Sequence, residues 1–364
     1  MRLFICGDVM TGRGIDQTLP HPNNARIYES FMESAIGYVE LAERKNGPIP
    51  RQAGISYIWG DALEELKRFG PDFSLINLET AVTKNEEHEY KGINYRMHPG
   101  NVGCLKAAGI DCCSLANNHI LDLGYPGLEE TLETLKKAGI RYAGAGGDLE
   151  EAEASAILEH DDGGRVLVFS FGHVTSGIPL SWAAAADRPG VNLLPDLSNA
   201  TALKIKKKVE EARRKDDIVI ASIHWGPNWG YEVQKEQRKF AREIIDKAGI
   251  DIIHGHSSHH IKGIEVYKKR LILYGCGDFI NDYEGILGYE QYRGDLGLMY
   301  LVSVESPKGA LLSVQMIPTR VRRFRVELAV GKDGLWLMET LNREGAKLGT
   351  NVEENEDGSL ILKW

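Results

Sequence analysis

The chain has 364 residues, enough for one large domain or two ordinary ones. Its 43% hydrophobic and 26% charged residues are those of a globular protein, and a net charge of −9 excludes a general nucleic-acid binder, which needs a basic surface. No stretch approaches the ~20 apolar residues of a membrane helix, and the run after Met1 is too short for a signal peptide, so a cytoplasmic protein without a membrane span is expected.

Leu3 to Cys6 reads as a buried first strand, ending in Gly7-Asp8 and a turn that carries Met10 and Arg13. Residues 20–56 are polar, with Pro20, Pro22, Pro48 and Pro50, and are expected to hold one helix near 27–44. A helix over 61–69 leads to a second buried strand, 73–76, ending in Asn77-Leu-Glu79. Residues 84–99 read as loop and carry Lys91, Arg96 and His98. A helix over 101–108 precedes the run Asp111 to Leu115 and then Ala116-Asn-Asn-His119; a helix over 126–138 and a strand over 141–143 follow.

Strands are expected near 154–159 and 165–171, then a long loop over 176–195 and a helix over 198–214 with a basic outer face. The strand 217–223 ends in His224-Trp-Gly226. A helix over 234–248 leads to an apolar run, Ile250 to Ile253, and then to a stretch in which residues 251–260 carry four of the chain's eleven histidines. Strands near 263–267 and 270–275 precede Gly277-Asp-Phe279; further strands are expected over 296–304 and 311–327, then a helix near 336–347 and a polar tail. Residues 1–330 read as one domain, with 331–364 as a helical extension and tail packed on it.

Alternating strands and helices argue an α/β fold of mainly parallel order. Ala108-Gly-Ile-Asp111 and Ala248-Gly-Ile-Asp251 each close a helix and open a strand, and His119 and His259 each lie eight residues further on. These read as two similar helix–strand units, since nothing else recurs at a fixed period. Cys6, Cys104, Cys112, Cys113 and Cys276 form no Cys-x-x-Cys and read as buried thiols of a reducing compartment. Cys112 and Cys113 are adjacent, and adjacent cysteines bridge poorly.

In open α/β sheets ligands gather beyond the carboxyl ends of strands. Here five apolar runs end in Asp8, in Glu79, in Asn118-His119, in His224 and in His256/His259. Two carboxylates, an amide oxygen and several imidazoles suit one or two borderline divalent ions such as Zn, Mn, Fe, Co or Ni. Singly, each is as well read as a turn residue, a cap or a satisfied histidine. Arg13, Lys91, Arg96 and Arg293 are candidates for an anion pocket, because guanidinium suits carboxylate or phosphate. Trp225 to Tyr231 is either a cleft wall or a packed loop.

The series Cys6-Gly-Asp8…Gly12-Arg13, Asn77-Leu-Glu79, Ala116-Asn-Asn-His119…Asp122, His224-Trp-Gly226, Gly255-His-Ser-Ser-His259 and Gly277-Asp-Phe279 resembles the CapA family of poly-γ-glutamate capsule biosynthesis, which is distantly similar to calcineurin-like metallophosphoesterases. The resemblance implies a four-layer α/β/β/α sandwich with a metal centre at the strand ends. It places Asp8 and His259 on one metal, Glu79 as the bridging carboxylate, and Asn118, His224 and His256 on the second. His119, supported by Asp122, takes the place of the phosphoesterase general acid. His254, on the strand before the loop, is read as lining the pocket, either supporting the ligands from behind or transferring protons. His260 is expected to point away, since adjacent extended residues alternate faces. Met10 stands where the phosphoesterases have a histidine, and Glu79 where they have an aspartate. The resemblance implies a metal-dependent enzyme on a peptide or small anionic, polyglutamate-like substrate, by amide hydrolysis or transfer. Peptide epimerisation, phosphoester hydrolysis and a non-catalytic role in a capsule-polymer synthesis complex stand as alternatives.

Overall fold

A computed structural model describes residues 1–160, 163–306 and 309–364. The N-terminal apolar run becomes the strand Arg2–Val9, buried from Leu3 onward on both faces. A strand without a polar face needs cover on both sides, as the strands of buried, largely parallel sheets have. Phe73–Leu78 and Asp278–Ile280 pair with it in parallel and Leu296–Glu305 antiparallel. Cys112–Ser114 and Arg141–Ala143 continue that sheet in parallel order. A second sheet aligns Arg165–His173, Ile218–His224, Ile252–His256 and Arg270–Leu273 in parallel.

Side chains alternate across each strand. Leu3, Ile5 and Leu75 of the first sheet share one apolar cluster with Val166, Val168, Ile220 and Ile252 of the second. The intervening residues Phe4, Cys6, Ile76 and Cys113 pack with Leu66, Leu128 and Leu135 of the helices Ala62–Phe69 and Gly124–Ala138. On the second sheet, Phe169, Val219, Ala221 and Ile253 pack with Ile205, Val209, Phe240 and Ile244 of the helices Asn199–Ala212 and Lys235–Ala248. The expected α/β order is therefore present, with two mixed sheets sharing a core.

The helix–strand echo has a physical basis. Asp111 N donates to Ser74 O and Ser74 N to Asp111 Oδ2. Asp251 N donates to Val219 O and Val219 N to Asp251 Oδ2 in the same way. Gly109 and Gly249, at φ +64° and +68°, supply the left-handed residue that ends each helix. Each unit pins a strand to its parallel neighbour at its start, which sets where the strand ends.

Three expectations need correction. The helix expected at 27–44 starts only at Ile36, because Arg26–Glu29 and Met32–Ser34 pair as a hairpin. The strand expected at 311–327 is a hairpin of Ala310–Arg322 and Arg325–Leu328, turning on Arg323 and Phe324 at φ +56° and +55°. The polar tail forms the strands Asn351–Glu354 and Leu360–Lys363, the latter pairing with Ala310–Arg322, while Lys332–Gly345 buries Leu337 and Leu341 in the inter-sheet core. All five cysteines are free and buried. Among the described residues no helix is long and apolar enough to cross a membrane.

Candidate metal centre

Strand register brings the candidate ligands together. Asp8 is paired with Asn77 on one side and with Asp278 on the other, and His224 with His256 in the second sheet. Asp8, Glu79, His224, His256 and His259 are all buried. Asp8, His224 and His256 each present a ligand atom within 4.8 Å of the others, and so do Asp8, His259 and Asp278.

Asp8 Oδ1 accepts from Asn77 Nδ2 at 2.7 Å, whereas Asp8 Oδ2 is buried without a hydrogen-bond partner. Burial and then the neighbouring Asp278 push the Asp8 carboxyl up to about 7. Glu79 is raised well above the usual carboxylate range by burial and by Asp8. Its Oε1 lies 3.8 Å from His119 Nε2 and 3.9 Å from His224 Nε2. Packing acids together out of water is costly unless a cation or protons neutralise them.

The imidazoles complement them. Burial holds His224 and His256 well below their ordinary range, so both keep a lone pair at neutral pH. Their Nδ1 atoms are 2.7 Å apart, which places one proton between them or offers two lone pairs to a cation. His256 Nε2 is held by Ser222 Oγ at 2.9 Å, and His224 Nε2 lies 3.0 Å from Asn118 Oδ1. His259 Nδ1 donates to Asp278 Oδ1 at 2.9 Å, which leaves Nε2 for a cation. Burial lowers His259, but Asp278 outweighs it and the net shift is upward. Asp278 Oδ2 accepts from Asn281, so both of its oxygens are engaged, Oδ1 in holding the His259 ring. An orphaned buried carboxylate oxygen among neutral imidazoles fits a borderline divalent cation.

His119 stands beside this group. Its Nδ1 lies 2.6 Å from Asp122 Oδ2; a carboxylate only accepts, so Nδ1 carries the proton and Nε2 is the free acceptor facing Glu79. Burial, partly offset by Asp122, lowers its pKa to about 4. Asp122 Oδ2 also accepts from Tyr95 N at 2.6 Å, and Asp122 Oδ1 pairs with Lys91 Nζ at 2.7 Å. Lys91 also contacts the Asn118 carbonyl.

Of the four cations expected in an anion pocket, only Lys91 reaches the centre. The Arg13 guanidinium is buried and paired with Glu29 and Asp282. Arg96 donates to the backbone carbonyls of Asn85 and Asn24 and so ties two loops together. Arg293 is held by Asp295 and Asp333. Of the two roles open to His254, support from behind fits and proton transfer does not: Nε2 donates to Cys6 O at 2.8 Å across the two sheets, and Nδ1 lies 2.9 Å from the Ser222 Oγ that also holds His256. His260 is buried in a stack with Tyr292 and Trp229. The aromatic segment divides: Trp225 is packed and donates to Tyr274 O, whereas the Trp229 ring lies 5.4 Å from His259.

Sequence reasoning missed Asn77, Asp278 and Tyr283. Asp278 opens the short strand Asp278–Ile280, three residues beyond the stretch 270–275, so following the chain past the end of that stretch would have found it. Tyr283 shows no such pattern; its hydroxyl donates to Met10 Sδ at 3.8 Å and accepts from Tyr95 OH at 3.1 Å.

Imidazoles and carboxylates converging at the carboxyl ends of parallel strands define the class: an α/β protein with a candidate divalent-metal centre. The chain belongs to the family described as bacterial capsule synthesis protein PGA_cap, whose model matches residues 2–283. A probable polyglutamine synthesis accessory protein of Mycobacterium tuberculosis is 47% identical over 360 residues, covering 98% of this chain and 94% of that protein. The PGA biosynthesis protein CapA of Bacillus subtilis is 30% identical over 293 residues, or 80% of this chain and 72% of that protein. The capsule biosynthesis protein CapA of Bacillus anthracis is 28% identical over 266 residues, or 72% and 62%.

Proposed function

We propose that the chain is a metal-dependent enzyme of polyglutamate-type polymer synthesis, cleaving or transferring an amide bond of a carboxylate-bearing peptide. The family and the names of its relatives support the substrate class. The observation that carries the chemistry is the His119–Asp122 pair beside the cluster of Asp8, Glu79, His224, His256 and His259. The three apolar clusters support reading the fold as an α/β/β/α sandwich of the calcineurin-like type. The buried free thiols support a reducing, cytoplasmic setting.

Asp8, Glu79, His224, His256 and His259 would hold the metal, with Asn118 Oδ1 beside His224. A divalent ion bound there supplies a polarised carbonyl and an acidified water. His119 Nε2 accepts a proton from the attacking group and returns it to the leaving nitrogen. Asp122 holds the ring in the required tautomer and offsets the charge that His119 gains. Lys91 anchors Asp122 and, being partly exposed, is the cation that a substrate carboxylate can meet. Met10 supplies no imidazole, which disfavours ordinary phosphoester hydrolysis.

The test is a γ-glutamyl oligomer incubated with Mn(II)-loaded protein in heavy water. Amide cleavage or transfer is expected, falling about 10²–10⁴-fold in His119→Ala while bound metal is unchanged. Deuterium at a peptide Cα without cleavage would replace this reading with epimerisation. No turnover of either kind, with metal fully bound, would leave the non-catalytic reading standing.

A further inference from the structure

We propose that Asn77 is a positioning residue of the metal centre, whose one amide group decides which oxygens of Asp8 and Glu79 face the cation. This rests on the metal-centre reading above. The register makes Asn77 the partner of Asp8 across parallel strands, and Glu79, two residues on, projects from the same face. Asn77 Nδ2 donates to Asp8 Oδ1 at 2.7 Å and to Glu79 Oε2 at 3.0 Å. An amide nitrogen has two hydrogens and can serve both carboxylates at once; a hydroxyl has one and a carboxylate none.

The amide cannot turn over. Asn77 Oδ1 accepts from Asn117 Nδ2 at 3.0 Å. Asn117 is itself fixed, donating to Leu78 O at 2.8 Å and accepting from His119 N at 3.1 Å. A chain of amides thus runs from the His119 backbone to both carboxylates. What it leaves unclaimed is Asp8 Oδ2, without a partner, and Glu79 Oε1, facing the imidazoles of His119 and His224. Asn77 is fully buried, so no bulk water replaces its donors.

The device answers a feature of this sequence. Glu79 carries one more methylene than an aspartate in the same place, and a longer arm loses more rotamer freedom when it is fixed. Tying Oε2 to Asn77 fixes the arm before a cation arrives. Partners that orient metal ligands in this way are each worth about 10–100-fold in affinity.

The experiment is equilibrium dialysis of Mn(II) with the full chain, comparing wild type, Asn77→Ala and the isosteric Asn77→Asp, with circular dichroism as the folding control. Both variants should bind Mn(II) about 10–100-fold more weakly while remaining folded. A packing role would leave Asn77→Asp at wild-type affinity, and affinity equal to or tighter than wild type in that variant overturns the proposal. Should Asn77→Ala fail to fold, Asn117→Ala frees the Asn77 amide without touching a carboxylate and should weaken binding in the same direction; unchanged affinity there counts against the proposal. If wild type binds no Mn(II), the metal-centre reading fails first and this proposal falls with it.

Discussion

Gly7→Ala is expected to destabilise the protein by about 4 kcal/mol or more, a magnitude reserved for a few mechanisms of which backbone overpacking is one. A Cβ at Gly7 would stand 1.8 Å from Gly277 O and 2.9 Å from Gly277 C. Those are backbone atoms of the segment that pairs with the first strand, and Asp8 N donates to Gly277 O at 3.0 Å. The obstacle cannot rotate aside as a side chain would, so the two strands must separate where Asp8 meets Asp278. Loss of stability and loss of the centre should therefore appear together. Denaturant midpoints measure the first. Gly54→Ala, where a Cβ meets nothing within 4 Å, is the matched control and should be near neutral.

Arg13→Met should cost about 3–5 kcal/mol, the range for removing one partner of a buried ion pair. The guanidinium donates to Glu29 Oε1 at 3.0 Å and to Asp282 through Nε and Nη2, and it lies 3.9 Å from the Tyr38 ring centroid and 4.4 Å from that of Tyr95. Removing it strands two carboxylates out of water. Burial would lower the Arg13 pKa, but Asp282 outweighs it and the net shift is upward. Lysine should rescue little, since it lacks the planar fork that serves two acids and stacks on two rings. An Arg13 that bound substrate anions would behave otherwise: Arg13→Met would then keep wild-type stability in thermal unfolding and lose only ligand affinity.

The contrast between Arg13 and Asp8 shows what could be read from the chain. Asp8, Glu79, His224, His256 and His259 were legible because each follows an apolar run, and such runs in an α/β chain end at one edge of a sheet. The helix–strand echo at Asp111 and Asp251 was legible for a similar reason, as a local pattern with a local cause. Arg13 was not, because its partners Glu29 and Asp282 are separated from it by 16 and 269 residues. The same holds for Asn77, whose importance lies in a strand register that no local pattern specifies. The C-terminal strands were missed because Leu360 to Lys363 is too short for its alternation to stand out, and the hairpin at 26–34 because its strands are short and mostly polar. The sequence could not choose between the two roles open to His254, since an imidazole looks the same whether it faces a cleft or bridges two sheets.

Metal content tests the proposed centre most directly. Wild type loaded with Mn(II) or Zn(II) and dialysed at pH 8 should retain at least one ion per chain by elemental analysis, and His256→Ala should retain far less. Binding requires Asp8 and Glu79 to lose their protons. Asp8, raised to about 7, is ionised above that pH and protonated below it, so affinity should fall as the pH drops through 7 and metal should be released by pH 5. Equal metal in wild type and His256→Ala at pH 8, or no metal in either, would contradict the centre proposed.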